Sequence, residues 1–365
     1  WPAELGPVIC IAGARPNFMK MAPILRAFAD HVPAIPALLV HTGQHYDKDM
    51  NDRLFEDLQL PRPDINLEVG SGSHAVQTAE VMRRFEPVID THRPSCVLVV
   101  GDVNSTLACT LVSVKRGIPV VHVEAGLRSY DRAMPEEINR VLTDQIADLL
   151  YTTERSAESN LIREGIAPER IRFVGNVMID SLLHNREFAR TPTETVAANG
   201  RDPELLACDA GYGVVTLHRP SNVDDAETLT SLLGVLRELA HQLPLVFALH
   251  PRTRANIERF GLGPLIDNPQ LILLPPQGYL EMLGLMAGAR IVLTDSGGLQ
   301  EETTALGIPC LTMRENTERP ITVEQGTNTM VGRDTTAIRQ QADEILAGRG
   351  KQGKLPELWD GHAAE

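Results

Sequence analysis

Three carboxylates in this chain stand where an acid/base group could act on a bound molecule. Asp102 directly follows an apolar run, Glu124 ends the next such run, and Glu136 follows Pro135 at the start of a predicted helix. Carboxylates that lie close together raise one another's pKa, as the removal of a proton from carbon would require. Asp102 could instead be a turn residue, and Glu136 a favourable charge at a helix N-terminus. Glu124 is harder to explain structurally, because an acid at the end of an apolar strand needs a partner or a function.

His218 and His250 also follow apolar runs, and an arginine lies within two residues of each. Because imidazole titrates near neutrality, such a histidine could protonate or hydrogen-bond a departing phosphate. A single histidine at a strand end is more often structural. No further His or Cys stands at metal-ligand spacing, so we predict no metal site.

Arg15 and Lys20 follow the first apolar run and could clamp a diphosphate, Arg15 as a forked donor and Lys20 as a point charge. They could also be two solvated surface cations. The run Gly13-Ala14-Arg15 lacks the Gly-x-Gly-x-x-Gly pattern, and the chain contains no Gly-Lys-Ser/Thr. We therefore predict neither an NAD site nor a P-loop.

Residues 291–302 predict a strand, a turn of small residues and the start of a helix. Gly297 and Gly298 would let the backbone approach a ligand, and the free amides of the helix N-terminus suit a nucleotide diphosphate. The alternative is a helix cap built by the two polar residues before them. Glu301 and Glu302 in the next turn could accept hydrogen bonds from ribose hydroxyls or could simply be solvated.

These residues follow short runs of Val, Ile and Leu that alternate with helical stretches. The strands predicted in the first half are residues 8–11, 37–41, 96–100 and 120–123, and the helices are 19–28, 75–90, 105–115 and 136–146. The second half has predicted strands at 213–217, 245–249, 271–274, 291–293 and 310–312, and helices at 227–240, 279–287 and 299–306. This alternation predicts an α/β protein with parallel sheets. Because ligands bind outside the carboxyl ends of parallel strands, we expect the polar clusters to meet in one cleft between two lobes.

The length of 365 residues is large for one hydrophobic core, and 43% apolar residues can supply two. We place a hinge near Gly175, with an N-terminal domain at 1–175 that carries the acids and a C-terminal domain at 176–351. Residues 191–209 are polar with little periodicity, which is typical of a connection.

The net charge of −14 argues against a nucleic-acid partner, because phosphate backbones are bound by an excess of Lys and Arg. The five cysteines lie mostly in apolar runs and form no Cys-x-x-Cys pair, so we expect core packing in a reducing compartment. No stretch approaches the roughly 20 apolar residues of a membrane helix. We expect a cytoplasmic protein with no membrane partner.

Ten short segments, spread over nearly the whole chain, resemble one family in order and in sequence. They are residues 13–23, 42–45, 101–106, 122–129, 134–140, 174–176, 216–219, 250–253, 295–302 and 316–320. The family is that of the non-hydrolysing UDP-N-acetylglucosamine 2-epimerases. Ten matches in order are far more specific than any single one.

The resemblance implies two Rossmann-like domains of the glycosyltransferase-B type, with the active site in the interdomain cleft. It implies reversible conversion of UDP-N-acetylglucosamine to UDP-N-acetylmannosamine, by elimination of UDP to 2-acetamidoglucal and its re-addition, for surface polysaccharide precursors. No redox cofactor is needed. The family is often dimeric, so we expect a homodimer.

The resemblance also implies roles for individual residues. Asp102, Glu124 and Glu136 match the family's catalytic acids, and His218 matches its catalytic histidine. We assign Asp102 and Glu136 to proton removal and return, Glu124 to orienting the sugar or acting as a third acid, and His218 to the leaving diphosphate. The positions that match UDP-binding residues are Arg15, Lys20, Gln277, Ser296, Gly297, Glu302 and Arg319, to which the glycine turn adds Gly298.

Several positions depart from the family pattern. Met282 stands where relatives commonly place an aromatic beside uracil, so thioether packing could replace stacking. Residues 70–75 and Tyr46-Asp47 differ from those that bind a second, activating UDP-N-acetylglucosamine in several bacterial members, which argues against such activation. Residues 352–365 include the opening of a C-terminal segment that returns to the first domain in the family, and we expect it to be truncated here.

Other functions share much of this pattern. A 2-epimerase of UDP-2,3-diacetamido-2,3-dideoxyglucuronate would use the same motifs with an extra cation or pocket at the sugar C3 and C6 positions. A hydrolysing 2-epimerase would release free N-acetylmannosamine, and a glycosyltransferase of the same fold would move the sugar to an acceptor. A non-catalytic UDP-sugar sensor would be expected to have lost at least one of the acids.

Overall fold

The chain forms two compact units. The computed structural model describes residues 5–43 and 55–365. Unit 1 runs to His184 and also includes Glu357–Glu365, whereas unit 2 is Asn185–Pro356. The border therefore lies beyond Gly175, where we placed the hinge. The reason is that the helix after Gly175 belongs to unit 1, where the Ser181 hydroxyl donates to the carbonyl of Met19.

Unit 1 is built on a parallel sheet of seven strands within the described residues, in the order β3-β2-β1-β4-β5-β6-β7. The strands are β1 (Val8–Ala12), β2 (Ala37–His41), β3 (Ile65–Asn66), β4 (Cys96–Val100), β5 (Val120–Ala125), β6 (Leu149–Thr152) and β7 (Ile171–Phe173). The helices are α1 (Arg15–Asp30), α2 (His74–His92), α3 (Asn104–Lys115), α4 (Pro135–Ile146), α5 (Arg155–Arg163) and α6 (Val177–Asn185).

Unit 2 has a parallel sheet of six strands, in the order β10-β9-β8-β11-β12-β13. The strands are β8 (Gly213–Thr216), β9 (Leu245–Ala248), β10 (Leu271–Leu274), β11 (Ile291–Thr294), β12 (Cys310–Thr312) and β13 (Asn328–Met330). The helices are α7 (Pro192–Ala198), α8 (Pro220–Val223), α9 (Ala226–Leu239), α10 (Pro251–Arg259), α11 (Gly263–Ile266), α12 (Tyr279–Ala287), α13 (Gly297–Leu306), α14 (Pro320–Glu324) and α15 (Thr335–Leu346). The prediction of two Rossmann-like, parallel-sheet α/β domains is confirmed.

Each sheet has one point where the strand order reverses. In unit 1 the chain proceeds outwards from β1 to β2 and β3, then returns to place β4 on the other side of β1. In unit 2 the same reversal places β11 beside β8. The loops that follow the two central strands lead away from each other, which opens a crevice at the carboxyl edge of the sheet. Arg15 and Asp102 follow β1 and β4 at the first reversal point, and His218 and Ser296 follow β8 and β11 at the second.

The central strands β1, β4, β8 and β11 are largely apolar on both faces, as expected for sheets covered by helices. In unit 1, β1 and β4 pack against Phe85 and Ile89 of α2. In unit 2, Leu232 and Leu236 of α9 pack against Phe247 of β9. Removing a large aliphatic side chain from such a core typically costs about 2–5 kcal/mol.

Most predicted elements agree with the structure to within two residues, and two predicted segments differ by more. Helix α1 begins at Arg15 rather than at residue 19, because Pro16 suits a first helical turn and the Asn17 carboxamide accepts hydrogen bonds from the amides before it. The predicted connection 191–209 contains helix α7. Its Thr191 hydroxyl and the Glu194 carboxylate cap each other's backbone amides, and this compensates for the absence of an apolar periodicity.

The last residues of the chain pack on unit 1. The Trp359 indole is almost completely buried and donates a 3.1 Å hydrogen bond to the carbonyl of Thr153. The Asp180 carboxylate accepts from the backbone amides of Ala363 and Ala364, at 3.2 and 2.8 Å. In the part of the chain that the structure describes, no helix has both the length and the hydropathy to cross a membrane.

Candidate active site

The turn after β1 is tied to the end of β4 by one side chain. The Asn17 carboxamide oxygen accepts from the amides of Gly13 and Ala14, at 3.0 and 2.9 Å, and its nitrogen donates to the carbonyl of Val100 at 3.1 Å. Arg15, the first residue of α1, is half-buried beside this turn. The reversal point of unit 1 is therefore a fixed scaffold.

Lys20 and Glu124 form a buried ion pair at this scaffold. Lys20 Nζ lies 2.6 Å from Glu124 Oε2, and the two side chains are 7% and 2% exposed. Gly101 packs against the pair, since a Cβ there would lie 3.2 Å from Lys20 Nζ and 3.9 Å from Glu124 Oε1. Glu124 has a left-handed backbone, with φ at 69°, next to an irregularity in the β5–β6 pairing. Such a conformation costs a non-glycine residue about 1–2 kcal/mol, which marks this position as constrained.

Asp102 is oriented by α4. Arg140 Nη2 donates to Asp102 Oδ2 at 2.5 Å, and the Asn139 carboxamide donates to the Asp102 carbonyl at 2.9 Å. The Asp102 side chain is 26% exposed, whereas that of Arg140 is 4% exposed. A buried guanidinium thus holds a carboxylate that can still be reached from outside.

The adjacent acids of α4 have different surroundings. The Glu137 carboxylate is buried and accepts four hydrogen bonds, from the Ser129 amide and hydroxyl, the Tyr130 amide and Arg140. Glu136 accepts no hydrogen bond and forms no ion pair with any described residue, and it lines a cavity. Glu137 is therefore structural, and Glu136 is placed to meet a ligand.

The cavity beside Glu136 has a volume of about 320 Å³. Its lining residues are Ser71, Gly72, His74, Gln77, Val103, Asn104, Pro135, Glu136 and Asn139. Asn104 donates to Gln77 Oε1 at 2.8 Å, and Asn139 donates to Asn104 Oδ1 at 3.2 Å. Amide and carboxylate groups of this kind suit the hydroxyl and acetamido groups of a sugar. Because Asn139 also bonds the Asp102 carbonyl, the cavity is linked to the Asp102 loop.

Sequence reasoning missed a buried group of three side chains, His122, Asp144 and Arg128, which supports the loops after β4 and β5. His122 Nδ1 lies 2.7 Å from Asp144 Oδ1, and His122 Nε2 lies 2.8 Å from the Gly101 carbonyl. Asp144 Oδ2 accepts from the Gly126 amide at 3.0 Å and pairs with Arg128 at 2.8 Å. Burial raises the pKa of Asp144, but attraction to His122 and Arg128 outweighs it, so the pKa is lowered. In the sequence, the one signal that could have indicated a buried role for Asp144 is its place in the pattern of polar residues along the amphipathic helix α4.

The reversal point of unit 2 places a histidine on a buried aspartate. Asp295, directly after β11, is fully buried, and its Oδ1 lies 2.8 Å from His218 Nδ1 after β8. The His218 ring also lies 5.6 Å from that of His250, between centroids. Burial lowers the pKa of His250, and so does the charge of His218. The rings of His218 and His250 therefore lie close together.

Arg319 belongs to a buried ion-pair network. Its Nε lies 2.9 Å from Glu301 Oε2 and its Nη1 lies 2.9 Å from Glu318 Oε1, while Arg314 pairs with Glu318 at 2.8 Å. Burial raises the pKa of Glu318, but the charges of Arg319 and Arg314 outweigh it and hold that pKa far below its ordinary value. A Cβ on Gly297 would lie 2.6 Å from Glu318 Oε1. A glycine is therefore needed at this position to leave room for the Glu318 carboxylate, in addition to its predicted role of letting the backbone approach a ligand.

The other UDP-binding residues predicted in unit 2 lie at the start of α13 or, in the case of Gln277, after β10. Ser296 is the residue before α13, a Cβ on Gly298 would meet no atom of the described residues within 4 Å, and Glu302 is buried one turn further on. Gln277 lies after β10, where it accepts from Asn199 at 3.2 Å. The position that departs from the family pattern, Met282, is half-buried against the apolar core.

Some predictions concern residues outside the described ranges. Gln44 and His45 of the second matching segment and the departing pair Tyr46-Asp47 all lie there. Among residues 5–43 and 55–365, no group of three or more His, Cys, Asp or Glu side chains could hold a metal ion.

Comparison with known proteins identifies the family. A family profile described as UDP-N-acetylglucosamine 2-epimerase matches residues 29–365. The chain is 42% identical to the UDP-N-acetylglucosamine 2-epimerase of Methanocaldococcus jannaschii over 349 residues, covering 95% of this chain and 93% of that protein. It is 41% identical to the UDP-2,3-diacetamido-2,3-dideoxy-D-glucuronate 2-epimerase of Pseudomonas aeruginosa, covering 93% and 92% of the two chains.

A solved structure agrees with this result. The crystal structure of the M. jannaschii UDP-GlcNAc 2-epimerase in complex with UDP-GlcNAc and UDP is similar with a TM-score of 0.86 and 39% sequence identity, covering 98% of this chain and 97% of that chain. The chain therefore belongs to the UDP-N-acetylglucosamine 2-epimerase family.

Proposed function

We propose that this protein reversibly converts UDP-N-acetylglucosamine to UDP-N-acetylmannosamine. The observation that carries the proposal is the presence of three carboxylates with different surroundings on β5, on α4 and after β4 of unit 1: Asp102 on Arg140, Glu124 on Lys20, and Glu136 facing a polar cavity. Inverting a carbon centre through proton transfer requires a group that takes the proton and one that returns it on the opposite face. A protein that only binds a UDP-sugar needs no such set.

The reaction has two balanced halves. In the first, a carboxylate takes the C2 proton, the C–H electron pair forms the C1=C2 double bond, and the C1–O bond breaks so that its electrons leave with UDP. In the second, a proton is returned to the other face of C2 in 2-acetamidoglucal while the β-phosphate oxygen of UDP bonds to C1. Because the C2 proton is only weakly acidic, breaking of the anomeric bond must assist its removal. No electrons are exchanged with a cofactor.

We assign Asp102 and Glu136 to the removal and return of this proton. The Asp102 carboxylate is held in one orientation by Arg140 and stays partly exposed, while Glu136 faces the cavity. We assign Glu124, fixed by Lys20, to orienting the sugar. Held in this way, the groups need little rearrangement when the substrate reacts.

We assign the UDP moiety to the reversal point of unit 2. The first amides of α13, a helix of 10 residues, have no partners within the helix and suit a phosphate. His218 and Ser296 lie beside this N-terminus. Such donors would hold the released UDP until it adds again. By analogy with the family, we propose that the protein is a homodimer and that its product is a precursor of a surface polysaccharide.

A second candidate substrate is UDP-2,3-diacetamido-2,3-dideoxyglucuronate. The chain is 41% identical to the Pseudomonas aeruginosa enzyme named for that substrate, which is nearly the same as its 42% identity to the M. jannaschii enzyme. Sequence identity therefore supports this second substrate about as well as the first. The two substrates undergo the same chemistry at C2 and differ at C3 and C6. The choice between them therefore depends on the pocket around those carbons and not on the acids.

The test is proton NMR of the protein with UDP-N-acetylglucosamine in D₂O. We expect UDP-N-acetylmannosamine to appear with deuterium at C2, and we expect D102N and E136Q to lower the rate of exchange. Release of free N-acetylmannosamine would show a hydrolysing enzyme instead. No exchange with this substrate, but exchange with the diacetamido-glucuronate nucleotide, would establish the second candidate.

A further inference from the structure

Asp295 lies beneath His218 and contacts both its ring and its backbone. The carboxylate Oδ1 is 2.8 Å from the ring Nδ1, and the backbone amide of His218 donates to Oδ1 and Oδ2 at 3.1 and 3.0 Å. Asp295 is fully buried, whereas 36% of the His218 side chain is exposed. One partner is thus part of the scaffold, and the other faces outwards.

Apart from the His218 amide, which donates to both, the two oxygens of Asp295 have different partners. Oδ2 accepts from the Arg219 amide at 2.9 Å and from the Asn222 carboxamide at 3.1 Å, and these contacts hold the chain that follows β8. Oδ1 is the oxygen that faces the ring. Burial raises the pKa of Asp295, but the hydrogen bonds and charge of His218 and the Arg219 amide outweigh it, so the pKa is lowered. The group is therefore a carboxylate, which can only accept hydrogen bonds.

We propose that Asp295 is a positioning residue that keeps a proton on His218 Nδ1 and so presents Nε2 to the ligand. A carboxylate oxygen 2.8 Å from Nδ1 requires the ring to donate there. The His218 Nε2 atom forms no hydrogen bond with any described residue. His250 could not replace Asp295 as the acceptor for the His218 Nδ1 proton. Its own Nδ1 accepts from the Arg252 amide at 3.2 Å, so the proton of a neutral His250 ring is on Nε2 and that ring has no second acceptor nitrogen.

This inference rests on the proposed function, in which His218 faces the leaving diphosphate. A ring with its proton on Nδ1 can bind a second proton at Nε2 and donate it in a hydrogen bond to a phosphate oxygen. The buried carboxylate then balances the charge of the imidazolium. With the proton on Nε2 only, Oδ1 of Asp295 would instead face a lone pair on Nδ1.

The test is the tautomer of His218, read by ¹H–¹⁵N NMR of ¹⁵N-histidine-labelled protein at a pH where the ring is neutral. The signals of His218 are those absent from H218Q. We expect the proton on Nδ1 in the wild type and on Nε2 in D295N. The new amide can keep its oxygen toward Arg219 and Asn222 and donate from its nitrogen to Nδ1. A wild-type ring protonated on Nε2, or the same tautomer in both proteins, would overturn the proposal, and the wild-type spectrum decides even if D295N fails to fold.

Asn222→Ala is the matched control, because it removes a partner of Oδ2 and leaves Oδ1 on the ring. We expect it to retain the wild-type tautomer. In turnover assays we expect D295N to lower kcat by about 10²-fold or more, as for a misplaced acid/base group, with UDP affinity within a few-fold of wild type. An equal loss of kcat in both variants would show a merely structural role. A wild type without epimerase activity would contradict the proposed function, whereas the NMR result would still stand for the tautomer.

Discussion

The ammonium of Lys20 lies 2.6 Å from the carboxylate of Glu124, and both side chains are almost completely buried. The sequence gives these residues separate roles, one as a cation for a diphosphate and the other as an acid for a sugar. Because the two side chains form a buried ion pair, the position and the charge balance of each depend on the other. The charge of Lys20 compensates a carboxylate at the sheet edge, and its position fixes that carboxylate beside Gly101.

Lys20→Met should therefore destabilise the protein, because it removes the cation that lies 2.6 Å from a buried carboxylate. Breaking a buried pair from one side typically costs about 3–5 kcal/mol of unfolding free energy. The double variant K20M/E124Q should recover most of that loss, since it removes both charges, yet it should stay inactive if Glu124 orients the sugar. Urea denaturation and turnover assays measure the two effects. A double variant no more stable than K20M would mean that the pair does not explain the loss.

Neighbouring acids on α4 should respond in opposite ways. Glu136→Gln should lower turnover by about 10²- to 10⁴-fold with unchanged thermal stability, because Glu136 faces the cavity and bonds no described residue. Glu137→Gln is the matched control. It removes one oxygen of a carboxylate that accepts four hydrogen bonds and should cost about 1–3 kcal/mol of stability. Turnover and the melting temperature, measured on both variants, separate the roles; a purely catalytic defect in E137Q would reverse our assignment.

Much of the fold could be predicted because the central strands are runs of apolar, largely β-branched residues. Strand β4 is predicted at its observed bounds, Cys96–Val100, and the positions of Asp102 after β4 and Glu124 near the end of β5 follow from the ends of such runs. Strands β3, β6, β7 and β13 were missed. With two to four residues each they carry too little pattern, and their pairing with a neighbouring strand depends on the tertiary fold.

The partners within the site could not be predicted, because they are distant in the sequence and depend on the tertiary fold. Asp295 could be predicted only as a helix cap, since its contact with His218 requires β8 and β11 to be neighbours. Arg319 matched a UDP-binding position, but its pairing with Glu301 and Glu318 arises from the packing of α13 against the chain before α14. Residue type and spacing thus indicate which side chains could take part in the chemistry, whereas the tertiary fold determines which partners fix those side chains in place.

The two glycines at the start of α13 offer a test of the proposed UDP site. Gly298→Ala should leave stability unchanged or slightly raised, because the added methyl group meets no described atom within 4 Å and alanine favours a helix. It should weaken UDP binding if the diphosphate packs against this backbone. Gly297→Ala should instead lower the melting temperature, since its methyl group would lie 2.6 Å from Glu318 Oε1. Calorimetry measures both quantities, and unaltered UDP affinity in G298A would place the diphosphate elsewhere.

Asp144 should make unit 1 sensitive to acid. Its pKa is lowered in the folded state, so below the ordinary value of about 3.9 the unfolded chain binds more protons. The stability that Asp144 contributes is therefore complete above that value and is lost as the pH falls through its folded pKa. Asp144→Asn should be less stable than wild type at pH 7, and the difference in unfolding free energy should narrow toward pH 3. Asp90→Asn removes an exposed pair with Arg116 and should change little, because such pairs contribute about 0–1 kcal/mol. Parallel pH curves for wild type and D144N would show that the buried carboxylate gains nothing from His122 and Arg128 on folding.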